Sequence, residues 1–188
     1  MNVKITIPTS LNDITIGQYQ AIRELLKDED LKGKELDNEI LRIVLGFENV
    51  EGIAKKDRNN LIKDIETALE KEGNFNKTFK LKDVTFGMIP NYDAISNGEY
   101  IDLIKYSENE EDLHRLLAVC YRPIRGKDIF NNYQIEEYNG TGKYADIMKE
   151  LPMSIAKGCR GFFLTLSEDL EIPSLMFTEV ELKRELVL

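Results

Sequence analysis

Apolar residues recur every three or four positions along most of this chain, with short stretches of strict alternation between them. That mixture predicts a mainly α fold with a small β element, an α+β chain. The strongest helical stripe lies in residues 151–170. Ile155, Ala156, Cys159, Phe162, Phe163, Leu166 and Leu170 share one face, and Pro152 suits a first helical turn. Beside that face runs a row of small residues: Ser154, Gly158, Gly161 and Thr165. Each glycine inside a helix costs roughly 1 kcal/mol relative to alanine. Close approach of another backbone would offset that cost. This stretch is expected to be the central helix.

Elsewhere the pattern alternates between the two periods. Val3, Ile5 and Ile7 alternate with polar neighbours and predict a short strand that Pro8 ends. Thr15 and Gln18 have the form of a capping box, placing a helix start at Ile16 with Tyr19, Ile22, Leu25 and Leu26 inward. A charged loop separates it from a second helix marked by Leu36, Ile40, Ile43, Val44 and Phe47 and closed by Gly46. A third helix is expected over about 57–72, with Gly73 as its stop. Residues 77–90 alternate, slip phase at Asp83 and resume, which predicts a hairpin or one bulged strand. The small antiparallel β element is thus expected from residues near 2–7 and 78–89.

A helix over about 97–106 follows, with Tyr100, Leu103 and Ile104 inward. Ser107 and Glu110 form a second apparent capping box, opening a helix with Leu113, Leu116, Leu117, Cys120 and Tyr121 on one side and Pro123 as its stop. Residues 122–142 read as loop, with Gly140 and Gly142 as breakers. A short helix around Tyr144–Leu151 and a final helix over 174–188 complete the expected elements. The whole is read as one globular domain, 1–188. Within it there is an echo: Ile7-Pro8, Asp13, Gly17, Tyr19 and Ile22 against Ile89-Pro90, Asp93, Gly98, Tyr100 and Leu103. Two strand–helix–helix units, about 1–75 and 76–125, plus a C-terminal helical part would account for it. Coincidence among common residue types accounts for it more simply.

Composition narrows the function classes. The chain has 188 residues, 42% of them hydrophobic, so it can build one sizeable core. Its formal net charge of −9 disfavours general binding to nucleic acid. No apolar run is long enough to span a membrane, and the N-terminal residues lack the apolar run of a signal peptide. The two cysteines, Cys120 and Cys159, fall on apolar helix faces and read as reduced core residues.

Chemistry is sparse. His114 is the only histidine, and no metal centre or cofactor site is expected. A catalytic cysteine would need His114 as its base. Cys120 lies on another side of the same predicted helix, and Cys159 could meet His114 only through tertiary contact. The acids Glu108, Glu110, Glu111 and Asp112 suit a helix N-terminus more simply than acid–base work. Asp28, Glu29 and Asp30 lack calcium-loop spacing, and Gly140-Thr141-Gly142-Lys143 lacks the strand that a phosphate loop needs. No catalytic residue is named.

The candidate contacts are to protein. Arg122, Arg125 and Lys127 form the one local basic patch, which would meet acidic groups on this chain or on a partner. Tyr133, Tyr138 and Tyr144 stud the following loop, suited to partner contact or to packing that loop onto the body. Leu182 and Leu186 could dock in a partner groove or on the chain's own core.

Three phrases carry a family resemblance. They are Ile7-Pro8 with Ile14-Thr15-Ile16-Gly17-Gln18-Tyr19; Leu117-Ala118-Val119-Cys120-Tyr121-Arg122-Pro123-Ile124; and Met153-Ser154-Ile155-Ala156-Lys157-Gly158 with Phe162-Phe163 and Leu166. In this order they resemble small morphogenesis proteins of tailed bacteriophages: tail assembly chaperone-like and minor virion proteins of phages of Bacteroidetes-type hosts. The resemblance implies a non-enzymatic chain in the virion or host cytoplasm, bound to other phage structural proteins or to itself. It implies no cofactor and supplies no active-site residue. The rival readings are a small acidic phage regulator that binds and inhibits a host factor, and an enzyme with a carboxylate site.

Overall fold

The computed structural model describes residues 8–130 and 132–169, with side chains described up to Phe162. The expected strand near residues 2–7 and the expected helix over 174–188 lie outside the described residues, as do Leu182 and Leu186. Seven α-helices and one four-stranded antiparallel sheet are described, so the α+β expectation holds.

The first helix, α1 (Ile16–Leu25), starts where its capping box predicts. The Thr15 hydroxyl accepts the Gln18 N–H at 3.1 Å, and the Gln18 side-chain oxygen accepts the Thr15 N–H at 2.9 Å. The Gln18 amide then donates to the Ile43 and Val44 carbonyls, tying α1 to α2 (Lys34–Leu45). Gly46 closes α2 with φ at 70°, a conformation that glycine takes without strain. Helix α3 (Lys55–Glu70) presents Leu61, Ile65 and Ala68 to the core. Helix α4 (Asn97–Ser107) is capped by Ser96 and Glu99, and α5 is Leu113–Cys120. A short α6 (Ala145–Met148) leads into α7 (Met153–Asp169).

Two expectations about this region change. Ser107 does not open α5; it is buried in the last turn of α4, and its hydroxyl donates back to the Ile104 carbonyl at 2.8 Å. A 3-10 turn, Glu110–Asp112, precedes α5 instead, so the acids still crowd its N-terminus. Tyr100 does not face inward. The buried face of α4 is Glu99, Leu103, Tyr106 and Ser107, which leaves Tyr100 and Ile101 exposed.

The sheet has the order β1 (Thr78–Leu81), β2 (Val84–Met88), β3 (Tyr121–Lys127), β4 (Tyr133–Ile135). The first two strands are the expected hairpin. The last two come from the stretch read as loop, where alternating charge and Pro123 hid a strand. Pro123 is tolerated because a strand residue aims its N–H and C=O at the same neighbour. Its carbonyl accepts the Glu136 N–H at 2.9 Å, so its missing donor faces that end of β4 and not β2, where it lies opposite Phe86. Both hairpin turns leave the same end of the sheet. Helices α4 and α5 connect β2 to β3 at the other end.

The core joins both layers. Phe86, Met88, Leu116, Leu117, Val119, Tyr121, Met148 and Met153 are all nearly inaccessible. The close approach expected along α7 is present, and its partner is a loop. A Cβ on Gly158 would collide with the Asn74 carbonyl, and one on Gly73 with the Ser154 carbonyl. Phe75, on that loop, stacks on Phe162 with centroids 4.5 Å apart. Among the described residues Gly161 has no neighbour that a Cβ would meet.

The caps of the two suspected units stand in step. Ser10 and Asn91 each cap a 3-10 turn, and Thr15 and Ser96 each build a capping box, with Gln18 and Glu99 as the returning groups.

Candidate interaction surface

The predicted basic patch separates into an inner and an outer part. Arg122 is only 6% exposed. Its guanidinium pairs with Glu99 at 2.6 Å and lies over the Tyr138 ring, 5.4 Å from its centroid. Glu99 also accepts the Ser96 N–H at 2.7 Å, which completes the α4 cap. Burial works to raise the Glu99 carboxyl, but the Ser96 hydrogen bonds and the Arg122 guanidinium outweigh it and hold the pKa below 4.5. Arg122 is therefore a framework residue locking β3 to α4; of the two partners open to it from sequence, an acid of this chain or one of a partner, it meets the former.

Arg125 and Lys127 remain exposed beyond it on β3. Arg125 pairs with Glu136, which also takes the Lys143 ammonium at 2.7 Å and the Tyr144 hydroxyl at 3.0 Å. No described carboxylate pairs with Lys127.

The tyrosines pack the loop onto the body. Tyr133 donates to the Met88 carbonyl at 2.8 Å and covers Gly87, where a Cβ would lie 2.7 Å from its ring. Tyr138 donates to Asp102, and Tyr144 meets Phe86 edge-on at 5.5 Å. Of the two roles open to Tyr133 and Tyr138 from sequence, these contacts are those of packing.

The exposed apolar feature lies between these elements and was missed. The β3–β4 turn presents Ile129 at 92% and Phe130 at 77% exposure. Its backbone is held from within. Asp128 accepts the Phe130 N–H at 2.9 Å and the Asn132 N–H at 2.8 Å, while its own N–H donates to the Asn132 carbonyl at 2.8 Å. The Asn132 side chain and these backbone donors keep the Asp128 carboxyl below its ordinary pKa. Asp128 thus ties the two sides of the turn together, and two large apolar side chains project from the end of the sheet, flanked by Arg125 and Lys127. The signal was legible once the strands were known, since Asp128 and Asn132 are turn formers bracketing Ile129-Phe130.

The reactive side chains are drawn into the interior. His114 is buried, although Asp112 and Arg115 beside it in sequence suit a partly exposed position. Gln20 reaches its Nδ1 at 3.0 Å, and burial, with Lys149 and Arg115, lowers its pKa below 6.5. Cys120 and Cys159 are both buried, and burial pushes the Cys120 thiol well up. Glu110 gathers Tyr19 at 2.5 Å, Arg160 at 2.8 Å and Arg23 at 3.4 Å, joining α1, the 3-10 turn and α7. The cleft beside it has room of about 20 Å³, enough for one water. Among the described residues no group of three or more His, Cys, Asp or Glu is placed to hold a metal ion. No helix of the described residues is long and apolar enough to cross a membrane.

The chain matches no protein-family model, no curated protein and no solved structure.

Proposed function

We propose that this chain is a non-enzymatic phage morphogenesis protein that acts through protein–protein contacts, as a tail assembly chaperone or a small tail or neck subunit. The observation that carries the contact reading is the hairpin tip. Ile129 and Phe130 are the two most exposed large apolar side chains among the described residues. Adjacent exposed aliphatic and aromatic groups suit an anchor that fills a partner's pocket, and the Asp128 hydrogen bonds to the Phe130 and Asn132 N–H groups reduce the freedom lost on docking. The phage assignment rests on the three sequence phrases and places the chain in the virion or the host cytoplasm.

Mass spectrometry of purified particles tests this reading. A fixed copy number per particle makes the chain a structural subunit. Absence from particles, with co-purification of a tail or neck protein from infected cells, makes it a chaperone. Absence from particles together with binding only to a host protein contradicts the proposal and favours the acidic regulator. The net charge of −9 is the observation on the regulator's side, since such a surface suits a basic site on a host factor.

A further inference from the structure

A second surface on the same chain matches the hairpin tip in chemistry. On α3, Ile62, Glu66 and Leu69 lie along one stripe, with Glu70 beside them. Ile62 and Leu69 are half-buried, and Glu66 and Glu70 are exposed. Asp37 on α2 faces the same group. Burial, then Asp37, then Glu70 raise the Glu66 pKa, so three carboxylates share this place. No described cation pairs with any of the three. Unneutralised like charges destabilise a surface unless a cation arrives from outside.

We propose that the occupant of the hairpin tip is a second copy of this chain: Ile129 and Phe130 of one copy dock on the Ile62–Leu69 stripe of the next, with Lys127 and Arg125 meeting Glu66, Glu70 and Asp37. This rests on the reading of the tip as a contact anchor and goes further by naming the partner surface. The two surfaces differ, so the contact is head to tail. The arrangement meant is an open chain or a ring of three or more copies, so association continues past a dimer. A stable interface buries roughly 800 Å² on each side. A two-residue tip supplies less, so association is weak and grows with concentration. The excess of 34 acidic over 25 basic residues repels an anionic lipid surface and favours the protein partner.

Light scattering on the full chain, from micromolar to near-millimolar concentration, tests the contact. The wild type is expected to rise past the mass of a dimer, and to fall back toward a monomer in high salt. Ile129→Ser/Phe130→Ser and Glu66→Lys/Glu70→Lys are each expected to stay monomeric. All four side chains are on the surface, so circular-dichroism melts should match the wild type. An equimolar mixture of the two variants keeps one intact junction per pair and is expected to stop at the dimer. A wild type that stays monomeric, or stops at a dimer, overturns the proposal. So does a serine variant that associates like the wild type, or a mixture that stays monomeric. Tip-dependent pelleting with anionic vesicles by an otherwise monomeric chain assigns the tip to a lipid surface and also overturns it. The particle experiment reads a different property, so either result can fail while the other stands.

Discussion

Arg122 and Glu99 show how one ion pair fixes the junction between sheet and helices. Both side chains are less than a tenth exposed, and Glu99 also closes the α4 cap. Removing one partner strands a buried charge. Arg122→Ala is therefore expected to cost about 3–5 kcal/mol, read as a lowered midpoint in urea. Arg125→Ala, at an exposed pair, should change stability by less than about 1 kcal/mol in the same titration. His114 adds a pH dependence. Gln20 on α1, Asp146 on α6, Lys149 just beyond it, and Asp112 and Arg115 surround the ring, and its pKa in the fold lies below 6.5. As pH falls through 6.5 the unfolded chain binds its proton first. Stability from this group is thus full above pH 6.5 and is lost as pH falls through the window below it. Denaturant midpoints measured across that window should drop with acidity, and His114→Gln should flatten the drop.

The glycines of α7 separate two roles that look alike in sequence. Gly158 touches the Asn74 backbone, whereas no atom of the described residues lies where a Cβ on Gly161 would go. Gly158→Ala should push α7 off the Gly73–Phe75 loop and lower the thermal midpoint. Gly161→Ala should instead stabilise by up to about 1 kcal/mol through helix propensity. If both substitutions stabilised, the close approach at Gly158 would be wrong. At this scale local chemistry made the helices legible: capping boxes at Thr15 and Gly46 as a stop needed no tertiary knowledge. Strands β3 and β4 were not legible because their pattern depends on partners far along the chain. Tyr121 and Pro123 make sense as strand residues only beside Met88 and Phe86. Ser107 misled for the opposite reason. Its local signal was real, but burial turned its hydroxyl back onto α4.

For the molecule as a whole, Arg122 and the thiols prove to be interior, Tyr133, Tyr138 and Tyr144 pack half-buried against the body, and the exposed signal is the apolar turn that the loop reading concealed. Surface substitutions away from the packing have small effects on stability, within about 0.5 kcal/mol. Ile129→Ser/Phe130→Ser should accordingly leave the unfolding midpoint nearly unchanged while weakening association. That separation of binding from stability is what distinguishes an anchor from a misplaced core pair. The most direct test of the account places a photo-crosslinking amino acid at position 130, with one at position 32 in the exposed α1–α2 loop as control, in cells producing phage. The account predicts a discrete adduct from position 130, identified by mass spectrometry as a particle protein or a second copy of the chain, and none from position 32. No adduct from position 130, or the same diffuse labelling from both, would contradict the claim that this protein works through its hairpin tip.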